Sequence, residues 1–152
     1  MSVTLRLDRV PQVGEWLALY KACDYNHWWT ERNAQAALAY AYLVATAWHR
    51  EQPIATLTVW SDGVNFALID DVAVHPDHRH RGVGSLLVTA TLSRLRDAGI
   101  TIVQVLPIPG REPFFAQLGF VAQPNATVMD RTIGPHDPAG ASDRDVRPKQ
   151  AQ

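Results

Sequence analysis

Cysteine is almost missing from this chain of 152 residues, where Cys23 stands alone. One thiol excludes an intramolecular disulfide and leaves a cysteine-based zinc site without ligands. A surplus of one charge is missing too. Lys and Arg number 14 and Asp and Glu 15, a formal net charge of -1. Without a basic excess, nucleic acid is not an expected partner. No run approaches the roughly 18 uninterrupted apolar residues of a membrane span, so no membrane partner is expected either. Residues 1–9 carry Arg6, Asp8 and Arg9 and read as a strand, not a signal peptide. A reduced, cytoplasmic setting follows by default.

What remains suits one globular domain. Apolar residues make up 47% and charged residues 19%, ordinary proportions for a chain long enough to bury a core. The composition changes at Gly134. Pro135, Pro138 and Pro148 lie there among Gly, Ser, Asp and Arg, with almost no large apolar side chain. Burial cannot offset the ordering entropy of such a segment, so residues 1–133 are expected to fold and residues 134–152 to form a disordered tail.

The hydrophobic period switches along the folded part. Residues 14–23 and 31–42 have helical spacing, with Trp16, Leu17 and Tyr20 able to share one face. Residues 42–48 read as a strand. Residues 54–60 alternate, Ala55, Leu57 and Val59 on one side and Thr56, Thr58 and Trp60 on the other. After the turn signal Ser61-Asp62-Gly63, residues 66–74 form a second, almost wholly apolar strand broken only by Asp70 and Asp71. Gly84, Leu87, Val88, Thr91, Leu92 and Leu95 then make one stripe of a helix that Gly99 ends. Residues 100–106 look like a fully buried strand, residues 112–118 a short helix stopped by Gly119, and residue 120 onward a final strand or two. A strand–helix–strand unit requires a parallel pair within a mixed sheet. The class is α/β (α+β), a mixed central sheet with helices on its faces.

The strongest chemical feature is Arg79-His80-Arg81-Gly82-Val83-Gly84, between the apolar strand and the helix. Unpaired N–H groups crowd a helix start, and the helix dipole favours negative charge there. Glycine lets a phosphate approach the backbone, and Arg79 and Arg81 add matching charge. The segment reads as a diphosphate cradle. It is not the dinucleotide fingerprint, because Leu87 stands where a third small residue is needed, and Gly-Lys-Ser/Thr of the ATP-type loop is absent.

The run from Asp71 to Leu87, with its Arg-x-x-Gly-x-Gly core, resembles the pyrophosphate-binding motif of the GCN5-related N-acetyltransferase (GNAT) superfamily. Glu112-Pro-Phe-Phe-Ala-Gln-Leu-Gly-Phe120 is similar to that family's F-Y-x-x-x-G-F segment. The resemblance implies a sheet splayed at a cofactor cleft, acetyl-CoA as acetyl donor, and transfer to the primary amine of a small molecule, in a monomer or homodimer. It places Val72, Ala73 and Val74 beside the pantetheine and thioester, with a bulge aiming an N–H at the thioester oxygen. It puts His80, Arg81, Gly82, Val83, Gly84 and Ser85 around the diphosphate together with Arg79. Phe115 occupies the cofactor-side position where the family usually has a Tyr that protonates the leaving sulfur, so that acid is missing. An acyl-CoA-binding regulatory module, or a protein or peptide N-acetyltransferase, stays open beside the small-molecule enzyme.

The remaining candidates have two readings each. Asp70 and Asp71 interrupt a buried strand, and one of them can face the acceptor as general base or amine anchor; either can instead form an ion pair or a hydrogen bond that fixes the bulge. Trp28 and Trp29 can wall an acceptor pocket or pack a loop onto the sheet. His75, His78 and His80 cluster in a turn, where a phosphate-edge or surface role fits better than metal, and no metal is expected. Cys23 has no assignable partner for nucleophilic work.

Overall fold

The computed structural model of the chain describes residues 1–25 and 29–129. Trp28 and residues 134–152, expected above to be a pocket wall and a tail, lie outside the described residues. Among the described residues, five strands make one sheet in the order β1-β2-β3-β4-β5. They are β1 (Thr4–Arg6), β2 (Leu43–His49), β3 (Gln52–Ser61), β4 (Phe66–Val74) and β5 (Ile102–Val105). The first three pairings are antiparallel and β4 pairs with β5 in parallel. Asp62 shapes the β3–β4 turn: one carboxylate oxygen accepts the amides of Val64, Asn65 and Phe66.

Helices cover both faces, as the sequence pattern implies. On one face lie α3 (Val83–Asp97) and α4 (Glu112–Gln117). Val83, Leu87, Val88 and Leu95 of α3 and Phe115 of α4 pack there against Ala55, Leu57 and Val59. The predicted stripe is therefore the buried face of α3. On the other lie α1 (Val13–Ala22) and α2 (Glu31–Tyr40), where Trp16, Leu19, Tyr20, Ala34 and Leu38 meet Val44 and Ala73. Thr30 caps α2 reciprocally with Asn33, through bonds of 3.2 and 2.6 Å.

Two expectations fail at the far edge. The strand over 100–106 is not fully buried: Ile102 and Gln104 are exposed, because β5 is the outermost strand of the sheet. The final strand expected from residue 120 does not form over residues 120–129. Pro124 and Asn125 make a turn there, and proline cannot donate to a ladder.

Two irregularities position the site. The first is a bulge. Thr58 pairs with Asp70 and Thr56 with Ala73, so Leu57 faces both Asp71 and Val72. Asp71 has φ of 50°, the left-handed region that Asp tolerates better than most residues. The second is a splay. β5 follows β4 only from Phe66 to Ile69, and β4 continues to Val74 without it.

The stripe on α3 makes a paired stability prediction. Leu87 is fully buried while its neighbour Leu86 is 47% exposed. Leu87→Ala is expected to lower unfolding free energy by about 2–5 kcal/mol, and Leu86→Ala by no more than ~0.5 kcal/mol. Denaturant melts of both variants check this; equal losses would mean that the helix face is misassigned.

Candidate functional site

The bulge decides what each face of β4 carries. Ala67 and Ile69 belong to the α3-side core, and so do Val72 and Val74. An unbroken strand would put residues of one parity on that face; the extra residue at Asp71 changes odd to even. Ala73 consequently turns to the α1 side. Asp70 and Asp71 do not divide between the faces as strand alternation predicts. Both act on Tyr20 of α1: its hydroxyl donates to Asp71 Oδ2 at 3.3 Å, and both carboxylates raise its pKa. Burial is the largest cause of that shift, which lies well above the ordinary tyrosine value.

The two carboxylates have different work. Asp70 Oδ1 accepts the amide of Asp71 at 3.0 Å, which ties the bulge to the strand before it. Asp71 points its carboxylate at α1. Around it stand aromatic rings: Trp16 lies 4.1 Å and Trp29 6.1 Å from the Tyr20 ring centroid, with Tyr25 at 5.7 Å. Trp29, a predicted acceptor-side residue, is thus within this cluster.

A cleft of about 130 Å³ lies on the α3 side, beyond the point where β5 leaves β4. Val72, Val74, Arg79, His80, Gly82, Val83, Gly84 and Ser85 line it, together with His78 and Phe114. Ala73 faces the other side, and Arg81 and Phe115 do not line the cleft. Phe115 is 7% exposed and packed between Phe114 and Phe120. Its neighbour Phe114 is the cleft residue of this helix, and a doubled Phe gives no sequence signal to choose between them.

The cleft has the features a diphosphate needs. Gly82, the residue before α3, offers no side-chain cap, so the first-turn amides of Val83, Gly84 and Ser85 have no carbonyl one turn back to bond. His80 and Gly82 both have positive φ, 58° and 76°, and such alternating backbone turns N–H groups into one concavity that suits an anion. A Cβ at Gly82 would stand in open space, and one at Gly84 would lie 3.4 Å from Phe114 and Val74. The site is therefore open at Gly82 and closely walled at Gly84.

Val74 organises the rim. His75 donates its amide to Ile54 of β3 at 2.8 Å. Alternation then turns the N–H and C=O of Val74, and those of Val72, away from β3 to the side that β5 has left. The Val74 carbonyl accepts from Arg79 Nε at 3.0 Å and from the Cys23 thiol at 3.3 Å. Arg79 thus braces the loop as well as lining the cleft. Cys23 is buried and burial pushes its thiol up, an effect that Arg79 partly offsets; it serves as a hydrogen-bond donor, not a nucleophile. Of the clustered histidines, His78 and His80 line the cleft and His75 does not; the His78 ring lies 5.8 Å from that of His75 and 5.7 Å from that of His49. Among the described residues no three His, Cys, Asp or Glu side chains are grouped to hold a metal ion, and no helix is long and apolar enough to cross a membrane.

Comparisons agree with this geometry. The model of the Acetyltransferase (GNAT) family matches residues 8–120. An uncharacterized N-acetyltransferase of Gracilaria tenuistipitata var. liui is 26% identical over 113 residues, which covers 70% of this chain and 62% of that protein. Its counterpart in Pyropia yezoensis is 32% identical over 65 residues, 43% of this chain and 37% of its own length. The chain therefore spans less than two thirds of these relatives. A probable acetyltransferase of Staphylococcus aureus has a similar fold, with a TM-score of 0.75 at 18% identity over 87% of this chain and 100% of that one. AAC(6')-Iy, solved with the bisubstrate analogue CoA-S-monomethyl-acetylneamine, matches with a TM-score of 0.67 at 15% identity over 88% and 100% of the two chains. With the family model covering most of the fold, from before α1 to the end of α4, this chain belongs to the GNAT family of acetyltransferases.

Proposed function

We propose that the protein is an acetyl-CoA-dependent N-acetyltransferase that passes acetyl to the primary amine of a small molecule by direct attack within a ternary complex. The observation that carries this reading is the bulge at Asp71. It turns Val72 and Val74 toward the α3-side cleft and a carboxylate toward α1. Donor and acceptor then approach one short piece of strand from two sides.

Acetyl-CoA would supply a thioester, and the residues of the cleft fit it. The amides of Val83, Gly84 and Ser85, the His80–Gly82 concavity and the guanidinium of Arg79 would hold the diphosphate. The backbone N–H groups of Val72 and Val74, free of β5, are the donors available to an oxyanion at the thioester carbon. Gly84 keeps the first turn of α3 close to Val74 and Phe114, which narrows the channel beside the strand.

Asp71 would take a proton from the incoming ammonium, directly or through water. The free amine attacks the thioester carbon, a C–N bond forms, the C–S bond breaks, and the amine's remaining excess proton passes to solvent. Tyr20 holds Asp71 toward the amine. Phe115 can donate no proton, and none is required: a thiol with a pKa near about 8.5 is a tolerable leaving group as thiolate at neutral pH. Asp70 is the bulge's fastener, not the base.

Two predictions test these assignments. Gly82→Val puts a branched side chain into open space at the cradle, in a left-handed backbone position. Calorimetry is expected to show CoA binding weakened at least about tenfold, with a stability loss of ~1–2 kcal/mol from backbone strain; unchanged affinity would mean that the cradle is misplaced. Asp71→Asn is expected to lower kcat/KM by ~10²–10⁴-fold at pH 7. Asp70→Asn keeps an acceptor oxygen for the Asp71 amide and should cost less than about tenfold. Thiol-release kinetics against an amine panel decide the matter, and the reverse order of losses would exchange the two roles.

A further inference from the structure

Two buried indole N–H groups are unaccounted for. Among the described residues, Trp16 Nε1 and Trp29 Nε1 are shut off from solvent and have no hydrogen-bond acceptor. Trp16 is 2% exposed. Its ring lies 4.9 Å from that of Trp29, at an interplanar angle of 73°. Both rings lie against Tyr20, and Tyr20 holds Asp71. A buried donor without an acceptor costs ~1–3 kcal/mol, and folded proteins leave few of them. Tryptophan N–H groups in particular usually find a partner when buried. Two such orphans on touching rings, one tyrosine away from the amine's anchor, have a common explanation: the acceptor oxygen arrives with the substrate.

We infer that the acetyl-accepting amine is an α-amino amide, whose carbonyl oxygen takes hydrogen bonds from Trp16 and Trp29 while its ammonium rests against Asp71. This rests on the reading of Asp71 as amine anchor and base. One tyrosine side chain links the indoles to Asp71, which places the accepted oxygen of the proposed amide a few bonds from its nitrogen. Charge narrows the class. The carboxylates of Asp70 and Asp71 both act on Tyr20 beside this spot. A carboxylate on the acceptor would be repelled, whereas a neutral carbonyl is not. The aromatic faces add attraction for the ammonium. A site built to donate hydrogen bonds also rejects an analogue that lacks the oxygen, because its N–H groups stay orphaned.

The test is a matched set of amines, phenylalaninamide, phenylalanine and phenethylamine, with acetyl-CoA and the wild type, Trp16→Phe and Trp29→Phe. The wild type is expected to prefer the amide over each of the others by at least about tenfold in kcat/KM, and each variant to lose most of that preference. The preference is a ratio within one protein, so partial misfolding of a variant cancels. A hexapeptide beginning with Phe separates the two sources of this chemistry: comparable turnover assigns a peptide N-terminus, turnover of the amide alone a small molecule, and either result keeps the recognition chemistry. An unchanged preference in both variants, or none in the wild type, overturns the inference. If no amine turns over, the proposed acetyl transfer fails first, and binding to the CoA-loaded protein decides the inference separately. Tighter binding of the amide by at least about tenfold, with downfield shifts of the Trp16 and Trp29 indole N–H resonances, upholds it. Equal or absent binding of the three amines overturns it.

Discussion

One extra residue in one strand organises this molecule. At Asp71 the chain of β4 takes a left-handed turn, and Leu57 of β3 faces two residues instead of one. Side-chain parity changes there: Ile69 and Val72 point to the same face, and Asp71 is released toward α1. Because β5 has already left, the backbone beyond the bulge keeps donors that a sheet would otherwise use. The left-handed Asp costs about 1–2 kcal/mol against regular strand geometry. The bond from the Asp71 amide to Asp70, and that from Tyr20 to Asp71, hold it in place.

The second constraint is the start of α3. A helix whose first turn has no side-chain cap leaves amides in search of an anion. Positive φ at His80 and Gly82 curls the preceding loop over the same spot, and the Arg79–Val74 bond ties that loop to the end of β4. Cradle and bulge are thus fixed to one another through the Val74 carbonyl. The buried thiol of Cys23 adds a third link from the end of α1 to that carbonyl. A solitary cysteine with no partner in the sequence finds its role in this junction.

Much of this is legible in the sequence alone. The Arg79–Gly84 run, the stripe on α3, and β3 and β4 depend on local pattern, and local pattern located them. Asp70 and Asp71 are visible as carboxylates in an apolar strand, but their common action on Tyr20 is not, because alternation assumes an unbroken strand. Tyr20 shares a helix face with Trp16, yet its bond to Asp71 joins residues 51 apart in the chain, which no local period reports. The exposure of β5 depends on its being the edge of the sheet, and a run of apolar residues cannot announce an edge. Phe114 and Phe115 are identical side chains, and only the orientation of a helix of six residues separates the cleft wall from the core.

A crystal structure with acetyl-CoA or CoA bound tests the central claim most directly, namely that β4 beyond Asp71 and the first turn of α3 form one binding surface. The account predicts the diphosphate within hydrogen-bond reach of the Val83, Gly84 and Ser85 amides, and the thioester or thiol end alongside Val72 and Val74, at the edge of β4 that β5 leaves open. A molecule bound with its diphosphate away from the α3 start, or with its sulfur on the α1 side of β4, would contradict it.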